Sequence, residues 1–128
     1  MKTLLIIPCF LFTLGCFGQQ LGDYQWKKRL IVLVSEETNT SEVKQQLKIL
    51  KESSVKLQNR DIIVLQKHPH SQDLSTFSID QDFRGVLLIG KDGGLKLKKP
   101  FIVTPNNIFD LVDSMPMRRA EIRRNNGY

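Results

Sequence analysis

Three short apolar runs constrain the fold of this chain more than any other feature: LIVLV at residues 30–34, IIVL at 62–65 and VLLI at 86–89. Each run is continuous rather than alternating and is rich in β-branched residues. A strand that is covered on both faces shows this pattern, because neither face has to be polar. We therefore expect three core strands of one sheet.

A helix is predicted between the first two strands, at about residues 41–57. A strand, a helix and a second strand within so short a segment indicate a right-handed crossover between two parallel strands. The apolar positions of the helix recur at helical spacing opposite a lysine-rich face, and they are Val43, Leu47, Leu50 and Leu57.

The third strand is followed by a hairpin signal, KDGG at residues 91–94, whose Asp and Gly residues suit the positive φ angles of a tight turn. Leu95 and Leu97 then alternate with lysines, which predicts an antiparallel edge strand that resists unwanted pairing. Thr104 is expected to cap the next helix and Pro105 to open it. The predicted buried stripe of that helix is Ile108, Leu111, Val112 and Met115.

Two segments are less regular. Residues 67–84 contain turn formers and scattered apolar side chains without a clear period, and we interpret them as a shortened crossover that retains a brief helix. The chain ends in residues 115–128, where Pro116 is expected to open one more short helix.

The first 18 residues have the proportions of a secretory signal peptide, with a basic residue, an apolar run too short to span a bilayer and then small residues. Residues 19–128 are then expected to form a single domain. Both cysteines, Cys9 and Cys16, lie in the leader, so cleavage after Gly18 leaves no thiol. The alternative is a lipoprotein anchored at an acylated Cys16. Either route predicts a secreted or periplasmic protein.

Four stretches carry a resemblance to a known family: YQWKKRLIVLV (24–34), NRDIIVL (59–65), GVLLIGKDGGLKLK (85–98) and DSMPMRRAEIRR (113–124). They resemble an uncharacterised thioredoxin/peroxiredoxin-like domain family. That family is shared with the C-terminal domain of sushi-repeat-containing proteins and with a coiled-coil-domain-containing extracellular matrix protein. The resemblance implies an α/β, thioredoxin-like three-layer fold with a four-stranded mixed sheet flanked by helices. It also implies export and no established catalytic activity.

The turn after the first strand is where thioredoxin-like proteins hold their reactive cysteine, and residues 35–41 read SEETNTS here. A reductant or peroxidase needs an ionised sulfur. The hydroxyl groups of Thr40 and Ser41 cannot replace it without an adjacent base. Backbone N–H groups could hold an anion at this turn, but Glu36 and Glu37 would repel it. We therefore expect Thr40 or Ser41 simply to cap the helix.

A weak metal-binding candidate lies just beyond the second strand, where His68 and His70 flank Pro69 and Asp73 follows. Two imidazoles and a carboxylate could bind zinc or copper. A metal-assisted or other non-thiol enzyme that uses this loop is therefore the alternative function. An exposed polar turn explains the same residues and is favoured, so we assign no catalytic residue and no cofactor.

The excess positive charge is concentrated in the last third of the chain. Residues 19–83 carry nine basic and nine acidic side chains, whereas residues 84–128 carry nine basic and four acidic ones. Arginine offers fork-shaped donors for sulfate, phosphate or carboxylate groups. The candidate anion-binding residues are Lys91, Lys96, Lys98, Lys99, Arg118, Arg119, Arg123 and Arg124. A solvated tail, partly neutralised by Glu121 pairing with Arg118 and Arg124, is the alternative.

We therefore expect an exported, non-catalytic thioredoxin-like domain that acts by binding. Its partner is expected to be an envelope or extracellular protein or an acidic polymer, and not nucleic acid. No transmembrane segment is expected. A redox protein that uses Cys16 is a third possibility, but it requires the leader to be retained. Trp26 is expected to pack over a sheet edge or a helix.

Overall fold

The computed structural model describes residues 20–126. The predicted signal peptide, with Cys9 and Cys16, lies outside these residues, as do residues 127–128. Across residues 20–126, none of the helices combines the length and the apolar character needed to cross a bilayer.

A four-stranded mixed sheet forms the centre of the molecule, with the order β2-β1-β3-β4. Its strands are β1 (Arg29–Val34), β2 (Ile62–Lys67), β3 (Gly85–Ile89) and β4 (Leu95–Pro100). β2 is parallel to β1, whereas β3 is antiparallel to both β1 and β4. These pairings confirm the predicted parallel crossover and the predicted hairpin.

Both faces of the central strand β1 are buried. Successive side chains of a strand point to opposite faces, so Ile31 and Leu33 join one hydrophobic cluster while Leu30, Val32 and Val34 join another. All six residues of β1 are buried. This double coverage is why the apolar run is continuous in the sequence.

Three α-helices cover one face of the sheet: α1 (Ser41–Lys51), α2 (Ser54–Asn59) and α3 (Pro105–Asp113). Two 3-10 helices, Leu21–Tyr24 and Gln72–Phe77, cover the opposite face. The helical side chains buried against the sheet are Val43, Leu50, Leu57, Ile108, Phe109 and Val112 on the first face and Leu21 and Leu74 on the second. The described residues thus have the predicted α/β, thioredoxin-like arrangement of three layers.

The predicted helix over residues 41–57 is wrong as a single element, because the chain forms α1 and α2 with a break at residues 52–53. Serine disfavours a helix interior because its hydroxyl group forms hydrogen bonds with the nearby backbone in non-helical conformations. Ser53 lies at the break and has non-helical backbone angles. The start of the helix is confirmed, since the Thr40 hydroxyl accepts a hydrogen bond from the Val43 N–H at 3.2 Å. The predicted apolar stripe survives the break, because Leu57 is still buried.

β2 was expected to be a core strand, but it lies at an edge of the sheet. Among residues 20–126 it pairs only with β1, and only its first residue, Ile62, is fully buried. The apolar run of β2 indicates only that its two faces are shielded from water, and this shielding is partial. It does not indicate whether the strand has one or two neighbours in the sheet. The prediction of β4 as the other edge strand is confirmed.

Three further outcomes concern the second half of the chain. The brief helix expected within residues 67–84 is the 3-10 helix, and Pro116 opens a fourth helix, α4 (Pro116–Asn125), as predicted. The buried stripe of α3 is partly confirmed, with Ile108 and Val112 fully buried but Leu111 and Met115 only half-buried. Phe109 is also buried, although the predicted stripe of α3 did not include it.

The packing predicted for Trp26 is wrong, because this side chain is 64 % exposed. The residue has a positive φ of 70° in the turn before β1. Its backbone N–H donates to the carbonyl oxygen of Lys91, so the main chain of the turn is fixed to the β3–β4 connection. The hydrogen-bonded backbone, rather than a buried indole, holds this turn in place.

Candidate functional site

In the turn between β1 and α1, the polar side chains either form hydrogen bonds or ion pairs within the domain or are at least partly exposed to solvent. Thr40 caps α1, and the Glu36 carboxylate forms an ion pair with Arg84. A cavity of about 70 Å³ borders the turn beside Glu37 and His68. The chain's two cysteines precede residue 20, so no sulfur nucleophile lies at this turn among the described residues.

In the loop that contains His68, His70 and Asp73, the carboxylate of Asp73 is engaged by other groups of the protein. Asp73 accepts hydrogen bonds from the Ser71 hydroxyl and the Leu21 N–H, and it forms an ion pair with Lys67 at 3.0 Å. The rings of His68 and His70 are exposed, with their centroids 5.1 Å apart. Within residues 20–126, no group of three His, Cys, Asp or Glu side chains is arranged to hold a metal ion. These contacts do not support metal binding by this loop, which stays a prediction from the sequence.

A buried ion network fixes α4 to the end of the sheet at which β1 begins. The two terminal guanidinium nitrogens of Arg29 donate to the carboxylate of Glu121, at 3.2 and 3.3 Å. Lys91 also donates to Glu121, at 2.7 Å, and to Asp61 at 2.8 Å. The Arg29 side chain is only 1 % exposed, so Glu121 neutralises a cation that water cannot reach.

A third carboxylate, that of Asp113 at the end of α3, extends this network. Arg60 donates to both of its oxygens at 2.9 Å, and Arg118 approaches it at 3.4 Å. Arg118 also lies 3.7 Å from Glu121, which joins the two parts and matches the pairing expected from helical spacing. The connected groups are five cations, Lys28, Arg29, Arg60, Lys91 and Arg118, and three carboxylates, Asp61, Asp113 and Glu121.

The cations of the network lower the pKa values of all three carboxylates. Hydrogen bonds from Lys91 and from Arg60 are the main causes for Asp61 and Asp113, respectively, and each outweighs the raising effect of burial on the pKa. For Glu121, burial is the largest single influence and raises the pKa. The hydrogen bonds from Lys91 and Arg29, together with the positive charges of the same two residues, outweigh it, so the pKa of Glu121 is also lowered. The charged forms are therefore favoured in the folded protein.

We expect the free energy of unfolding to decrease as the pH falls below about 5, where free carboxylates begin to bind protons. Because the folded-state pKa values are lowered, the unfolded chain binds more protons in this range. The stabilisation is therefore present above the unfolded-state pKa and is lost as the pH falls through the folded-state values. Urea unfolding followed by circular dichroism at about pH 6 and about pH 3 measures the decrease.

The Glu121→Gln variant provides the control, since its side chain cannot titrate. It should lose less stability than the original protein between the two pH values. An equal loss in both proteins would contradict a contribution of Glu121 to the acid sensitivity.

The predicted basic residues differ in their contacts, and two of them, Lys91 from the hairpin and Arg118 from α4, meet at Glu121. Lys91 and Arg118 belong to the ion network, and Lys96 pairs with Asp92 at 2.9 Å. A register shift between β3 and β4 sends Leu95 and Leu97 to different clusters. Lys98 and Lys99 are consecutive strand residues and point to opposite faces, and Lys98 lies over the ring of Phe83 at 5.4 Å. The exposed cations on α4 are Arg119, Arg123 and Arg124.

The network residues that sequence reasoning missed include the buried Arg29 and the partly exposed Asp61 and Asp113. Arg29 directly precedes the apolar run of β1, and that position was its only signal. Its partner Glu121 is 92 residues further along the chain. No periodic pattern connects residues so far apart, so the network could not be read from spacing.

Together, the fold and this site define an α/β protein with a thioredoxin-like arrangement and no thiol at the β1–α1 turn. The chain belongs to the family described as Domain of unknown function (DUF4174), whose model matches residues 20–74 and 65–121. No curated protein matches the chain.

Proposed function

We propose that this protein is an exported, non-catalytic thioredoxin-like binding domain that holds an acidic envelope or extracellular partner on the exposed basic face of α4. The proposal includes the finer relationship to the domains of sushi-repeat-containing and coiled-coil-domain-containing matrix proteins that the four sequence stretches resemble. It also includes cleavage of the leader, which removes both cysteines.

The proposal rests on the exposure of three arginines on α4 and on their lack of ion pairs within residues 20–126. Arg119, Arg123 and Arg124 are exposed, and none of them takes part in an ion pair among residues 20–126. Arg119 and Arg123 are four residues apart, so they share a helix face and repel each other. An anionic partner relieves this repulsion and accepts the fork-shaped hydrogen bonds of the guanidinium groups.

Glu121 supports this arrangement from the other side of α4. It points roughly opposite to Arg119 and Arg123 around the helix, since residues two apart are about 200° apart. Its buried contacts with Arg29 and Lys91 hold the helix on the domain. The arginines are thus presented from a fixed helix, which reduces the conformational entropy lost on binding.

A non-catalytic role is supported by the β1–α1 turn. Thr40 is occupied by helix capping and Glu36 by the ion pair with Arg84. A hydroxyl nucleophile needs a base that takes its proton, and the partner of the Thr40 hydroxyl within residues 20–126 is the N–H of Val43. Peroxide turnover or disulfide exchange above background in the processed protein would contradict this part of the proposal.

Salt elution from a sulfated resin tests the binding surface. Replacing Arg119, Arg123 and Arg124 together with glutamine should lower the salt concentration at which the protein elutes, because exposed charges dominate such contacts. The matched control replaces Lys44, Lys48 and Lys51, which are exposed on α1, with glutamine. Both variants lose three positive charges, so a specific surface predicts a clear decrease only for the α4 variant.

Equal decreases for the two variants would show that only net charge matters and would overturn the assignment to α4. No decrease for either variant would do the same. The intact mass of the mature protein separately tests the processing of the leader, since it distinguishes cleavage after Gly18, acylation at Cys16 and a retained leader, and a retained leader would contradict the proposed export.

A further inference from the structure

A cavity of about 210 Å³ lies between the β3–β4 turn and the junction of α3 with α4. One side of it is cationic, with Arg29, Lys91 and Lys96. The other side is apolar, with Leu111, Met115 and Met117. Asp92 also borders the cavity, but its carboxylate is bound by Lys96 and by the Gly94 N–H. The cavity is therefore amphipathic, with buried positive charge on one wall.

On the cationic wall, Lys91 and Arg29 each have N–H donors that form no hydrogen bond within residues 20–126. A lysine ammonium has three N–H donors, and Lys91 uses two of them, on Asp61 and Glu121. A guanidinium has five, and Arg29 uses three, two on Glu121 and one on the carbonyl oxygen of Arg60. Both side chains are at least nine-tenths buried, which strengthens any further charge-assisted hydrogen bond they make.

The ion network that contains these two residues is also short of negative charge. It joins five cations to three carboxylates, which leaves a surplus of two positive charges. Lys28 is 44 % exposed, so water screens part of this surplus. Arg29 and Lys91 are at least nine-tenths buried, and positive charge with so little access to water favours an additional anion nearby. The cavity is the space beside the network in which such an anion can be accommodated.

We propose that this cavity binds a small organic monocarboxylate whose apolar body is about the size of a benzene ring. The carboxylate accepts hydrogen bonds from Lys91 and Arg29, and the apolar body lies against Leu111, Met115 and Met117. An apolar cavity of about 150 Å³ is enough to take up benzene, so 210 Å³ accommodates a ring with a short acidic arm. The flexible methionine side chains adapt to ligands of somewhat different shape.

This site is distinct from the exposed arginines of α4 and does not depend on the function proposed above. A sulfated polymer cannot enter a cavity of this size. An inorganic anion such as phosphate would leave the apolar wall without a contact, so the site is expected to prefer an acid with a hydrocarbon body.

The test is a titration of the purified protein with phenylacetate, followed by calorimetry and by the chemical shifts of backbone amides. We expect a Kd of about 1 mM or tighter, which is attainable for a ligand of roughly ten non-hydrogen atoms. Phenylacetamide has the same shape without the charge and should bind at least about tenfold more weakly, as should inorganic phosphate. The shifts should cluster at Lys91, Leu111 and Met117.

Two matched substitutions locate the site. Met117→Glu places a negative charge at the cavity, whereas Val55→Glu makes the same kind of change at an exposed apolar residue that does not line it. Met117 lies in the first turn of α4, where a glutamate is tolerated. Met117→Glu should weaken phenylacetate binding about tenfold through charge repulsion. Val55→Glu should leave the affinity within about twofold, as expected for a distant site.

Several outcomes would overturn the proposal. They are an absence of binding, equal affinities for phenylacetate and phenylacetamide, phosphate binding as tight as phenylacetate binding, and equal effects of the two glutamate substitutions. Loss of binding in the α4 arginine variant but not in Met117→Glu would assign phenylacetate to the outer surface and would overturn it as well.

Discussion

We expect the Glu121→Ala substitution to lower the free energy of unfolding by about 3–5 kcal/mol, the usual result of removing one partner from a buried ion pair. The physical reason is the charge left behind. Arg29 is 1 % exposed, and without Glu121 its guanidinium keeps only the hydrogen bond to the Arg60 carbonyl oxygen. Lys91 loses a partner at the same time. Urea unfolding followed by circular dichroism measures the effect.

Glu37→Ala is the appropriate control, because Glu37 is exposed in the β1–α1 turn and has no ion pair within residues 20–126. Its effect should stay within about 0.5 kcal/mol, as for most surface substitutions. A similar small effect for Glu121→Ala would mean that Arg29 finds water or another acceptor, and the network would lose its assigned role in holding α4.

The second large effect is expected for Gln46, which is completely buried in α1. Its amide group donates to the carbonyl oxygen of Val103 at 2.9 Å and accepts from the Val103 N–H at 2.8 Å. Gln46→Met keeps a side chain of similar length but leaves both backbone groups without partners. We expect the free energy of unfolding to decrease by about 2–4 kcal/mol, from two unsatisfied buried groups.

The neighbouring Gln45 offers a control on the same helix, since it is exposed. Gln45→Met changes the same atoms without removing a buried hydrogen bond, and its effect should remain below about 0.5 kcal/mol. If the two substitutions had equal effects, the loss would reflect helix propensity rather than the link between α1 and the segment before α3.

The strands were predictable because their signal is local. Burial of both faces requires apolar residues at consecutive positions, and β1 and β3 show this requirement directly. The edge position of β2 was not predictable in the same way, since strand pairing uses the backbone and leaves no mark on side-chain polarity. The break after Lys51 was missed for a related reason, because the apolar stripe continues through it to Leu57.

Much less of the site could be predicted. Sequence reasoning identified the positive charge of α4 but could not separate Arg118, which is held by Asp113 and Glu121, from the exposed Arg119. That distinction depends on which face of α4 contacts the domain, and the contact is made by Glu121 and Arg29. Long-range pairs of this kind are determined by tertiary packing alone, so helical spacing gave only the Arg118–Glu121 contact.

The exposed Trp26 has a practical consequence for optical work on this protein. It is the only tryptophan in the chain, and its indole is largely surrounded by water already in the folded state. Its emission spectrum should therefore change little when the chain unfolds. The backbone N–H of Trp26 donates to the carbonyl oxygen of Lys91, a residue that lines the 210 Å³ cavity, so a change in the quenching or polarisation of the emission should report occupation of that cavity.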